Sequence, residues 1–195
     1  MIVVAEHDPG WAVRFAEIRA GLGPALAGRE ARVEHVGSTS VPGLAAKPII
    51  DISVIVPDAD GMHAALSGLS ALGYEHIGDL GITGREALRA TGGVAAGWAR
   101  HNLYVCIAGG PGIRNHLAVR DDLRADPDAA RAYGELKRRL ARECGDDVDA
   151  YTQAKSAFLA EVLTKAGVGA SLVAQIQREN TQAAAGGEGD DDGEQ

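Results

Sequence analysis

The stretch "GSTSVPGLAAKPIID", residues 37–51, places two glycines, a lysine and an aspartate close together, and its reading decides the fold. A P-loop needs four residues between its glycines, then Gly-Lys-Ser/Thr at the head of a helix whose backbone N–H groups meet phosphate. Here five residues separate Gly37 from Gly43, Lys47 arrives three positions late, and Pro48 stands where the hydroxyl belongs. The run that follows, "IIDISVIV", is β-branched and apolar, which reads as a buried strand and not a helix. "ARVEHVG" before it also reads as a strand, so the quoted segment is a loop joining two strands.

Upstream, Asp8 and Pro9 look like the cap and first residue of a helix on which Trp11, Phe15, Ile18 and Leu22 form one apolar face. Downstream, Met62, Leu66, Leu69 and Leu72 predict an amphipathic helix ending at Gly73, "YEHIGD" a short third strand and "NLYVCIA" a fourth. The intervening "LGITGREALRATGGVAAGWAR" is too rich in glycine for regular structure and reads as patchy, with the character of a mobile flap. From Asn115 the pattern turns helical. One helix carries Tyr133, Leu136 and Leu140, and a second carries Tyr151, Phe158 and Val162. Each holds a Tyr-x-x-x-Lys pair, Tyr133/Lys137 and Tyr151/Lys155, whose members lie one turn apart and can point together.

A length of 195 residues with 46% hydrophobic content suits one globular domain over residues 1–166, a possible extra helix over 167–180 and a tail over 181–195. The tail holds five acids and no bases, and its composition predicts disorder. Removing it from the net charge of −8 leaves 22 acids against 19 bases. That near balance argues against a duplex nucleic acid partner, although residues 114–142 carry eight Lys/Arg against five Asp/Glu. Neither a bilayer-length apolar run nor a signal sequence is present, so the expected location is cytoplasmic, with no membrane partner. Cys106 and Cys144 are too few for a zinc cluster and read as free thiols. There is no Gly-x-Ser-x-Gly elbow and no His-Glu-x-x-His spacing.

"EHVGSTSVPGLAAKPIIDISV" (34–54), "GDLGITGRE" (78–86), "HNLYVC" (101–106), "HLAVRDDLRADPDAARAYGELKRRLA" (116–141) and "YTQAKSAFLAEVL" (151–163) together resemble the GrpB family, whose members resemble the nucleotidyltransferase superfamily. The resemblance implies an α/β (α+β) fold: a nucleotidyltransferase-like short mixed sheet with packed helices and a C-terminal helical portion. It implies that Gly37 and Ser38 approach a phosphate, that Asp51 ligates Mg²⁺ and takes part in catalysis, and that a nucleotide or other phosphorylated small molecule is the partner. Ser53 stands where that superfamily places a second acid, and the strand beginning at His101 offers Asn102 and Tyr104 but no carboxylate. The two functional expectations are therefore metal-dependent nucleotidyl transfer, and a non-catalytic module binding a nucleotide or CoA-type ligand on the same scaffold.

The remaining candidates each carry two readings. Lys47 is either a solvated loop residue or a phosphate contact, and Arg85 either a surface ion pair or a bidentate phosphate clamp. His101 is either structural or an acid, base or ligand, with Tyr104 expected on the same face of its strand as a further substrate contact. Asp79 is a weaker candidate ligand. His116 and Arg120, one helical turn apart, either contact substrate or cap a solvated helix. An aspartate inside an apolar strand is the strongest single signal, because a buried carboxylate needs a partner.

Overall fold

The computed structural model describes residues 2–165, together with Gly167 and Val173. The possible helix over 167–180, apart from those two residues, and the acidic tail over 181–195 lie outside them.

The chain begins with α1 (Gly10–Leu26), where Asp8 Oδ1 accepts from the Gly10 N–H at 2.8 Å, as a capping aspartate should. Next come β1 (Arg32–Val36), a 3-10 turn (Ser38–Ser40), β2 (Ile50–Val56), α2 (Ala59–Ser70) and β3 (Tyr74–Gly78). β4 (Arg85–Ala90), β5 (His101–Ile107), α3 (Pro111–Ala125), α4 (Pro127–Cys144) and α5 (Val148–Lys165) complete the order. The five strands form one mixed sheet in the order β1-β2-β5-β4-β3. Only β2 and β5 run parallel, which the crossover through α2, β3 and β4 permits.

β4 differs from the expected patchy flap. "REALRA" has little intrinsic strand preference, but it lies between β5 and β3 and pairs antiparallel with both. Its glycines serve the ends of the segment: Gly84 (φ 75°) and Gly93 (φ 55°) adopt the left-handed turns that L residues avoid. The helical portion also divides earlier than its periodicity suggested. Asp126 caps α4 by accepting from the N–H of Asp128 and Ala129, and Pro127 opens the new helix.

Strand alternation sorts the sheet into two unlike faces. Ile50, Ile52 and Val54 of β2 and Leu103 and Val105 of β5 point toward α1 and α2, where they meet Trp11, Ile18, Leu22, Met62 and Leu69 in the main core. The opposite face carries Asp51 and Ser53 on β2 and Asn102 and Tyr104 on β5, in register. This polar face is covered by the helical portion, whose core includes Leu123, Ala130, Tyr133 and Val162. Among the described residues no helix is long and apolar enough to cross a membrane.

The central strand β5 is closed in on both sides, and Leu103 is fully buried in the main core. Leu103→Ala should cost about 2–5 kcal/mol of unfolding free energy, read from the midpoint shift in a urea titration.

Candidate functional site

Gly37 ends β1 in a left-handed conformation (φ 67°), and a Cβ built on it would overlap Oδ2 of Asp51. The glycine therefore lets the backbone close onto the carboxylate, which no side chain would permit. Asp51 is opposite Val36 in β1 and Asn102 in β5. Asn102 donates from Nδ2 to Asp51 Oδ1 at 2.8 Å. Asp51 and Ser38 accordingly face the same cleft.

That cleft has two chambers that share Ser38, Asp51, Tyr104, Thr152 and Lys155. One, of about 260 Å³, lies under α3 and α5 and is walled by Val36, Val119, Leu123 and Leu159 as well as His116 and Arg120. The other, of about 330 Å³, is bounded by Lys47, Asn102, Lys137 and Tyr151.

Lys137 is the least expected of these residues. It occupies the inward stripe of α4 with Ala130, Tyr133 and Leu140, and is 2% exposed. Its ammonium lies 4.5 Å from the centroid of Tyr133, and Nζ has no hydrogen-bond partner among the described residues. Lys155 on α5 stacks likewise on Tyr151 at 4.4 Å, with Lys47 at 5.1 Å from the same ring. Both Tyr-x-x-x-Lys pairs of the sequence are thus formed, and both lysines reach the chamber beside Asp51.

The electrostatics follow from burial. Lys137 is pushed down to about 7 by desolvation, with the charges on Lys155 and Arg138 adding and Asp51 opposing. Lys155 is pushed down to about 8 by burial, with Lys47 adding and Asp51 opposing. Burial also lowers Lys47, with help from Arg100. The Asp51 carboxyl is raised by burial, against the Asn102 hydrogen bond and the charges of Lys155 and Lys137. Tyr104 is raised to about 12 by burial and then by Asp51, so its phenol stays neutral.

Gly37, Ser38, Lys47, Asp51 and Tyr104 are brought together around this cleft. Arg85 lies one layer behind: its guanidinium stacks on the Tyr104 ring at 4.9 Å, and it lines neither chamber. His101 is not brought to the site. It is paired with Ile50 and shares its face of the sheet, away from Asp51. There Nδ1 bonds the Ala99 carbonyl and Nε2 the Tyr74 hydroxyl, so both ring nitrogens are engaged. By the same alternation, Tyr104 is on the face opposite His101. Asp79 caps a turn by accepting from the Gly81 N–H at 2.9 Å and lines neither chamber. His116 and Arg120 do line the α3 chamber. Nδ1 of His116 lies 3.1 Å from Ser53 Oγ, and burial depresses the imidazole to about 4, with the Arg85 charge adding. Arg120 is tied to Glu34 and Asp121.

The donor set does not suit a magnesium ion held by the protein alone. Among the described residues no group of three or more His, Cys, Asp or Glu converges. Ser53 is engaged with His116, and the one carboxylate in the cleft sits beside two lysines.

Solved structures place the fold first. The chain superposes on Cid1, a protein described as having RNA terminal uridylyl transferase activity, with a TM-score of 0.54 and 17% identity, over 78% of this chain and 47% of that one. The architecture is therefore nucleotidyltransferase-like. The chain itself belongs to the GrpB family: the profile described as GrpB protein matches residues 1–165. It is 36% identical to a UPF0157 protein of Streptomyces coelicolor, over 85% of this chain and 84% of that protein. The crystal structure of GrpB from Enterococcus faecalis aligns with a TM-score of 0.73 and 37% identity, covering 84% of this chain and 96% of that one.

A buried lysine with no partner burdens the folded state. Its folded pKa lies below the unfolded one, so between about 7 and about 10.4 the unfolded chain binds the extra proton, and stability rises with pH across that window. Lys137→Met should stabilise the protein at neutral pH by up to about 4 kcal/mol, the free energy of bringing the lysine from its unfolded value down to about 7, less the support it gives Asp51. The gain should shrink as pH is raised through the window, as followed by denaturant titrations at a series of pH values.

Proposed function

We propose that the protein binds a phosphate-bearing small molecule, nucleotide-like in build, with the phosphate among Lys47, Lys137 and Lys155 and the rest of the ligand under α3. The observation that carries this reading is Lys137, a buried ammonium without a hydrogen-bond partner among the described residues, facing a chamber that two more lysines line and one carboxylate serves. Burying ammonium groups is costly unless an anion compensates them. A phosphate bound there would gain charge-assisted hydrogen bonds from the lysines and the Ser38 hydroxyl. The α3 chamber, lined by both apolar and polar side chains, accepts an uncharged ring with hydrogen-bonding edges.

A thermal-shift panel of nucleotides and other phosphorylated small molecules tests this. A ligand at 100 times its dissociation constant should add about 2.7 kcal/mol of stability. Lys137→Met and Lys155→Met should each weaken binding about 30-fold or more, although the first variant is itself more stable. Unchanged affinity in both variants would refute the site.

A second reading, magnesium-dependent nucleotidyl transfer, is favoured by one feature: Asp51 is held against Gly37 and Ser38, the juxtaposition that the superfamily resemblance implies. Here the ion would arrive on the phosphates of the ligand, with Asp51 as its protein carboxylate. Pyrophosphate release from labelled nucleoside triphosphates with Mg²⁺ should then be abolished by Asp51→Asn. Release that persists in this variant excludes the reading.

A further inference from the structure

We infer that the lysine chamber is built for a terminal phosphate in its dianionic form, a phosphate monoester, in preference to a phosphodiester or a carboxylate. The inference rests on the phosphate-binding reading and narrows its ligand. Four charged side chains line the chamber: Lys47 from the loop before β2, Asp51 from β2, Lys137 from α4 and Lys155 from α5. Fully charged, they leave two positive charges uncompensated. Of the neighbouring charges, Arg138 is paired with Glu6 at 2.6 Å and Arg85 lies behind the Tyr104 ring, while Arg100 is outside the chamber but acts on Lys47 and adds to the positive side. Tyr104, Tyr133 and Tyr151 are all raised by burial and remain neutral. A phosphate monoester carries close to two negative charges above about pH 6, whereas a diester or a carboxylate carries one.

The choice of lysine points the same way. The chain has 15 arginines and four lysines, and three of the four lysines converge here, while the fourth, Lys165, pairs with Asp126. No arginine lines this chamber. Arginine cannot shed its proton, so three guanidiniums would leave the empty chamber permanently charged. Lysines lose protons when buried and recover them when a dianion enters. Binding should therefore draw protons from solution.

The test is isothermal titration of the full chain, in buffers of different ionisation enthalpy, with phenyl phosphate, its methyl ester (the matched diester) and benzoate. The monoester should bind at least about tenfold more tightly than the diester, the order expected for one lost charge contact, and with net proton uptake. Its affinity should rise as pH passes about 6, where the phosphate loses its second proton, and fall above about 7 to 8, where Lys137 and Lys155 lose theirs. The diester should lack the lower limb. Lys137→Met should reduce the proton uptake and narrow the gap between the two esters, while Lys165→Met should change neither. Equal binding of monoester and diester to the wild-type chain would overturn the inference and leave the phosphate reading standing. If phenyl phosphate, its diester and the nucleotide panel all fail to bind, both fall together.

Discussion

The contact between Asp51 and the backbone of Gly37 organises the rest of the polar face. A carboxylate inside an otherwise apolar strand has to be partnered, and here Asn102 reaches across the parallel pairing to donate to it. The absence of a Cβ at residue 37 lets the β1 end and the 3-10 turn close over it. That closure sets the position of Ser38 and so defines where the two chambers join. The lysines on α4 and α5 then complete the surroundings, with Asp51 the charge that partly offsets their desolvation. Each of these groups would be expensive alone, and in the proposed reading a bound anion completes the set.

Much of the scaffold was legible because burial on one face imposes a period. The apolar run of β2 and the apolar stripe of α1 are the direct imprint of burial, and both were read within a residue or two. β4 was not legible, since "REALRA" owes its conformation to neighbours on both sides and not to its own residues. The break between α3 and α4 could have been read from Asp126-Pro127, a cap followed by a first-turn proline, but the helical period runs through it and hid the boundary.

The candidate site was half legible for a related reason. Gly37, Ser38 and Asp51 are close in sequence, and they match the spacing that the superfamily resemblance implies. Lys137 and Lys155 come from helices far along the chain, and only the tertiary fold brings them to Asp51. A local clue did exist, in a lysine set at an inward position between Tyr133 and Leu140 in a chain that uses arginine for most of its cations. His101 misled because its strand leads to the cleft while its own side chain leaves by the other face. A single step of strand register separates a residue of the site from a residue that holds Tyr74.

The same fold can present charge to a phosphate in two ways, and the balance here tilts toward one. Carboxylates on adjacent strands gather metal ions, which then attract phosphate. In this chain Ser53 stands where the superfamily resemblance implies a second acid, and it is occupied with His116, so the sheet alone offers little to a cation. Positive charge comes instead from the helical portion, on side chains stacked over Tyr133 and Tyr151. Those rings are themselves fixed in place: Tyr133 stacks on Phe158 with centroids 4.8 Å apart, and Tyr151 packs beside Leu140 and Ile2. The aromatic faces give the ammonium groups a favourable resting place when no ligand is present, without spending a carboxylate on each. In the proposed reading that arrangement leaves Lys137 without a salt bridge among the described residues, so the binding energy of the anion is not consumed in breaking one.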